Sequence, residues 1–201
     1  HPRILLVGTG AAPGALARME AAGKAAQDLK DEKAPVAVLG AGDAGGMADA
    51  ALGYELGQYR FDRYRNTPEP PSAGVMLVGP DAEAARAAFD ARHAGIAEGV
   101  RFARNMANEP ASAIYPESFV ARARAAFTGI PGVTFEVLDE AAMRRLNMGS
   151  IVGVGQGSPR GSRLLLITYQ GAGGAPLALV GKGISFDSGG ISLKPGGGMS
   201  E

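Results

Sequence analysis

The sequence predicts an α/β fold: part of an N-terminal α/β domain, joined by a long helix to the start of a second α/β domain. Three observations carry this. Short runs rich in Val, Leu and Ile alternate with alanine-rich stretches, the pattern of strands feeding helices in a parallel or mixed sheet. Residues 81–108 are rich in alanine and arginine, which suit a long helix with a solvated face. Pro110 and Pro116 then bracket a loop that opens a new block. The expected division is 1–80 for the partial N-terminal domain, 81–108 for the linking helix and 109–201 for the second domain.

In chain order, residues 3–7 read as a buried strand ending in the turn Gly8-Thr9-Gly10, and 14–30 have the composition of a helix. Residues 36–39 give a second strand, 49–59 a second helix, and 75–78 a third strand before Gly79-Pro80. Asp81 is placed to cap the long helix. Pro116 suits the first turn of a helix ending near Gly129. Residues 133–138 alternate as a half-buried strand, and Asp139 caps a short helix through Leu146. Two more apolar strands are expected at 164–169 and 177–180, separated by a turn around 171–174. The second leads into Gly181-Lys182-Gly183, the place in an α/β sheet where chemistry is usually found.

Composition narrows the function classes. With 201 residues, 46% of them apolar, the chain can bury a real core. Twenty basic and twenty acidic residues cancel, so neither a nucleic-acid groove nor an anionic membrane surface is indicated. No run approaches a membrane span, and a cytoplasmic location is the default. The chain opens on His1 rather than Met, so the expectation is that an initiator and more precede it. Without cysteine there is neither disulfide nor thiolate zinc site. With His1 and His93 as the sole histidines, a metal would rest mainly on oxygen donors or on something unusual.

Most candidate features have plain explanations. Gly8, Gly10 and Gly14 resemble a dinucleotide fingerprint, but the third glycine comes one residue late, and such turns also serve close packing. Gly181-Lys182 lacks the following hydroxyl of a phosphate-cradling loop, since Gly183 stands there. His93 reads as a solvated helix residue, and Arg101, Arg104, Arg122 and Arg124 as exposed faces or subunit contacts. The segment 182–194 is different, concentrating two lysines, one aspartate and three glycines after an apolar run. Lys182 could project from the sheet edge into a site or be an ordinary exposed lysine. Asp187 could serve a site or simply form a turn with Ser188-Gly189.

The run VGKGISFDSGGISLK at 180–194 resembles the metal-binding segment of the leucyl aminopeptidases, the two-metal cytosol aminopeptidase family. YELGQYRFDRY at 54–64, ARNMANEP at 103–110, NMGSIVGVGQGS at 147–158 and LLLITYQG at 164–171 extend the resemblance over nearly the whole chain. The resemblance implies that Lys182 is a metal-liganding lysine, Asp187 a carboxylate bridging two metal ions, and Lys194 a catalytic lysine polarising the peptide carbonyl. The chemistry is coherent: a lysine ligates as the free amine, and divalent cations displace its proton. Lys194, held as an ammonium, can stabilise an oxyanion.

The reaction so implied is removal of a leucine-like N-terminal residue from a peptide, with two divalent ions, zinc or manganese, as cofactors. The family resemblance also implies peptide substrates, a cytosolic location, a homohexamer, and a C-terminal catalytic domain of which 109–201 is the first part. Further carboxylate ligands and a catalytic arginine are expected beyond Glu201, so the 201 residues alone are expected to be inactive. The competing expectation is a non-catalytic α/β module that binds a nucleotide-like ligand or a partner, motivated by the Gly8 turn.

Overall fold

A computed structural model describes residues 4–40, 42–68 and 74–199. The chain divides into two compact units, His1–Asn108 and Glu109–Glu201.

In the first unit the element order is α1 (Ala15–Asp28), β1 (Val36–Leu39), α2 (Ala44–Gly57), β2 (Val75–Val78), α3 (Ala82–Ala88), a π-helical turn (Phe89–His93) and α4 (Ala94–Asn108). β1 and β2 pair in parallel, with Val36 opposite Val75 and Leu39 opposite Val78. Helix α2 is the core of the unit. Its sequence AGGMADAALGYELG is apolar or small almost all round, and residues 46–48 and 50–54 are buried, as expected of a helix enclosed on every side. Asp43 starts it, its Oδ1 accepting from the Gly46 N–H at 2.9 Å. Helix α1 crosses α2 at backbone contact. A Cβ on Gly53 would overlap the Met19 backbone, and one on Gly57 would overlap the backbone of Gly23. Small residues spaced four apart thus set how closely the helices approach.

The one charge in the buried stretch of α2, Asp49, is compensated. His93 Nε2 lies 3.1 Å from its Oδ1, and Arg18 Nη1 stands 4.0 Å from its Oδ2. The Asp49 side chain is only partly buried, 18% exposed, and these partners offset the desolvation it does suffer. The expected long helix over 81–108 is continuous from Ala82 to Asn108 but includes a π turn at Phe89–His93, which accompanies an inward-facing His93, only 9% exposed. This corrects the solvated reading of that histidine. Asp81 also departs from expectation: it stands at the N-cap of α3 but makes no side-chain cap bond, its backbone (φ −97°, ψ 13°) not being the extended form that folds a cap back. Arg101 pairs with Glu55, while the Arg104 guanidinium sits 3.9 Å above the Tyr59 ring and donates to Leu56 O. These two arginines bind α4 to α2 rather than facing solvent alone.

The expected strand at 3–7 is not formed in its described part. Residues 4–7 are in no strand, with Ile4 83% and Leu6 89% exposed; Arg3 lies outside the described residues. A strand exists only as part of a ladder, and among the described residues β1 and β2 pair only with each other.

The second unit contains α5 (Pro116–Phe127), β3 (Val133–Leu138), α6 (Glu140–Arg145), α7 (Gly149–Gly155) and β4 (Leu164–Tyr169), with a 3₁₀ turn at Gly196–Gly198. β3 and β4 are antiparallel, Val133 opposite Tyr169 and Leu138 opposite Leu164. Ser118 Oγ accepts the Tyr115 N–H at 2.9 Å to fasten the start of α5, and Asp139 Oδ1 accepts the Ala142 N–H at 2.8 Å to start α6. Helix α6 ends in a Schellman motif. Asn147 takes φ 57°, the Met148 N–H reaches Met143 O at 2.9 Å and the Asn147 N–H reaches Arg144 O at 3.1 Å. Met143 is the largest side chain fully buried among the described residues, and Phe127 meets Phe135 edge-on at 6.5 Å. Arg122 is half-buried and pairs with the buried Glu109, whereas Arg124 is exposed.

Candidate functional site

After β4 the chain enters a long irregular stretch, and residues 176–187 are in no helix or strand apart from a bend at Ser185. The strand expected at 177–180 is absent. Leu177, Leu179 and Val180 are 86%, 89% and 97% exposed. The physical reason is the one that applies to residues 4–7: no strand among the described residues pairs with this run, so its apolar side chains gain nothing by alternating. Lys182 consequently does not leave the end of a strand. It is exposed, with no hydrogen bond or ion pair to another described residue.

Order returns at Asp187. Its Oδ1 accepts the Gly189 N–H at 2.8 Å, the hydrogen-bonded turn that an Asp-Ser-Gly sequence favours. Ser188 O then accepts the Lys194 N–H at 2.8 Å, closing residues 188–194 into a loop. Closure brings Lys194 Nζ to 3.9 Å from Asp187 Oδ2. The structure therefore places two of the three singled-out residues side by side and leaves Lys182 without a contact to either. The Asp187 side chain is 56% exposed and that of Lys194 32%, so water screens the pair and its contribution to stability is about 0–1 kcal/mol. Its significance is geometric: a carboxylate oxygen and an ammonium share one small loop.

Can these residues hold a dinuclear metal centre? Asp187 retains an exposed oxygen, and Lys182 could supply a nitrogen donor. Among the described residues, however, no three His, Cys, Asp or Glu side chains cluster as a metal site. One carboxylate with two lysines is too poor in negative charge for two dications. The donor set present fits a share of such a centre and not the whole.

Gly8-Thr9-Gly10 lacks the context of a dinucleotide fingerprint, since among the described residues no strand precedes it and residues 4–10 are exposed. Among the described residues, two polar groups not proposed for a site from the sequence are buried without a hydrogen-bond partner, the Tyr54 hydroxyl and Glu117 Oε2. Burial pushes the Tyr54 phenol above its ordinary value of 10.0, an effect the nearby Gln58 side chain partly opposes. That amide is not in normal hydrogen-bond geometry with the hydroxyl. No local sequence signal marks Tyr54, because its burial comes from the elements around α2.

Residues 101–201, 101 of the 201, match the catalytic domain of the cytosol aminopeptidase family. The chain belongs to the cytosol aminopeptidase family. Residues 1–68 match that family's N-terminal domain. Among similar relatives, a probable cytosol aminopeptidase of Bradyrhizobium sp. is 39% identical over 99% of this chain and 42% of its own length. Another, of Methylorubrum populi, is 44% identical over 80% of this chain and 33% of its own length. The bottromycin maturation enzyme BotP, in complex with Mn, superposes with a TM-score of 0.75 at 31% identity, over 95% of this chain and 41% of that one. A tomato leucine aminopeptidase mutant shares the fold, with a TM-score of 0.74 at 21% identity over 89% of this chain and 38% of its own. The chain thus spans between about a third and two-fifths of the length of these similar proteins. Among the described residues no helix is long and apolar enough to cross a membrane.

Proposed function

We propose that the whole protein is a metal-dependent aminopeptidase that hydrolyses a leucine-like N-terminal residue from peptides. The observation that carries this is the loop holding Asp187 and Lys194 3.9 Å apart, within the part of the chain that matches the family's catalytic domain. In this reading Asp187 and Lys182 contribute oxygen and nitrogen donors to a dinuclear centre of zinc or manganese. The remaining donors come from residues other than these three. When bound, the cations supply Lewis acidity toward the peptide carbonyl and activate water.

Lys194 has a separate task. Its ammonium, 3.9 Å from the Asp187 carboxylate, donates to the carbonyl oxygen as negative charge grows there. Such a donor is typically worth about 3–4 kcal/mol of barrier. Its flexible stem and compact charge suit a group that follows a moving oxygen. The 201 residues by themselves are inactive in this account. The long helix over 81–108 joins an N-terminal domain (1–80) to the catalytic part (109–201), and the assembled protein is a cytoplasmic homohexamer, which light scattering on the whole protein would check.

The reaction is tested with leucyl p-nitroanilide and leucyl dipeptides, before and after a chelator strips divalent ions. The expected result is cleavage that disappears with the chelator and returns on adding Mn²⁺ or Zn²⁺. A metal-replete whole protein that leaves every such substrate intact contradicts the proposal.

A further inference from the structure

We infer that Gly189 is a positioning residue: the absence of a side chain there is what lets residues 188–194 close and bring the Lys194 ammonium to the Asp187 carboxylate. This rests on the reading that Asp187 and Lys194 act together, and deepens it. The loop closes through two hydrogen bonds that meet around Gly189, its own N–H to Asp187 Oδ1 and the Lys194 N–H to Ser188 O, each 2.8 Å. Its backbone has φ +95°, a conformation that costs an L-residue strain. The space is also taken. A Cβ at 189 would overlap Ser192 O, lie 3.0 Å from Lys194 N and 3.2 Å from Lys194 Cγ. The two nearest groups besides Ser192 O belong to Lys194 itself, so a methyl at 189 pushes on the residue whose place the loop defines.

The next residue supplies an internal control. Gly190 also has positive φ, +69°, yet a Cβ there meets nothing within 4 Å. Both positions carry the conformational cost of a non-glycine residue. Gly189 alone adds the collision with Ser192 and Lys194. A purely conformational need for glycine predicts losses at both sites, whereas the positioning role predicts a large effect at 189 and a small one at 190.

The test compares Gly189→Ala and Gly190→Ala in the whole protein, with a second readout in this chain. For Gly189→Ala the expected kcat on leucyl p-nitroanilide falls about 100-fold, the scale on which a displacement of one ångström acts. KM and the thermal midpoint stay near those of Gly190→Ala, which retains most of the activity. In the chain labelled with ¹³C-lysine, the Lys194 Cε resonance moves on Asp187→Asn in the parent and in Gly190→Ala, and stays unmoved in Gly189→Ala because the two groups no longer face each other. Equal kcat losses in the two alanine variants, unfolding of Gly189→Ala, or a Lys194 response to Asp187→Asn that survives Gly189→Ala would each overturn the inference. If the parent protein hydrolyses nothing, the peptidase reading fails, and the resonance experiment still decides the role of Gly189.

Discussion

Helix α2 and the run 176–194 contain the same kinds of residues and do opposite things with them. In α2, Met47 and Leu52 are almost wholly buried, while in the run Leu177, Leu179 and Val180 are almost wholly exposed. In α2, Gly53 and Gly57 stand where any side chain would strike α1; in the run, Gly181 and Gly183 have open space around them. An apolar residue or a glycine thus has no structural meaning of its own. Burial stabilises only where a second element is there to receive the side chain, and a glycine is required only where something occupies the place of its Cβ or its φ is positive.

The contrast can be broken first where packing is densest. Met143→Ala should destabilise the second unit by about 2–5 kcal/mol, because it removes a fully buried side chain and leaves a cavity. Leu179→Ala, at an exposed site, should change stability by no more than about 0.5 kcal/mol. Urea unfolding of both variants checks this, and similar losses would mean that the run is packed after all. The next largest effect is expected at the helix contact: Gly53→Val should cost about 3 kcal/mol, since the valine can enter only by parting α1 from α2. Gly183→Val should remain within about 0.5 kcal/mol of the parent in the same assay.

A smaller and opposite effect is expected at Tyr54. Its buried hydroxyl lacks a hydrogen-bond partner, so Tyr54→Phe should stabilise the first unit at neutral pH, by about 1 kcal/mol. The same residue gives a pH test. Because the folded phenol ionises above its ordinary value of 10.0, the folded form keeps a proton that the unfolded form loses. Stability from this group is therefore full below pH 10 and declines as the pH rises past it. Unfolding curves between neutral pH and pH 11 should show a decline in the parent that is weaker in Tyr54→Phe; identical declines would remove Tyr54 as its source.

Much of the fold was legible because it depends on local pattern. The alternation at 133–138 and the apolar runs at 36–39, 75–78 and 164–169 became strands with those bounds. Asp139 caps its helix as its position before Glu140 suggests. What failed depends on distant partners. Residues 4–7 and 177–180 are as apolar as true strands but lie against no ladder among the described residues. The π turn belongs with the pairing of His93 to Asp49, 44 residues away, which no window around His93 reveals. Helix α7 forms from GSIVGVG against its glycine content, its own Val152 being buried. In the candidate site, the spacing of Asp187 and Lys194 in a glycine-rich stretch pointed to a loop, and the loop that forms brings them together. Lys182 was singled out from the same stretch, yet it is exposed and makes no hydrogen bond or ion pair to a described residue, and the strand meant to aim it does not form.

The account stands on separate tasks for the lysines, Lys182 holding metal with Asp187 and Lys194 acting on the substrate. Metal analysis of the whole protein carrying Lys182→Ala or Lys194→Ala tests this most directly. The account predicts that Lys182→Ala loses bound divalent metal, while Lys194→Ala keeps the parent's content and loses turnover. Equal metal loss in the two variants, or full metal content in Lys182→Ala, would contradict it.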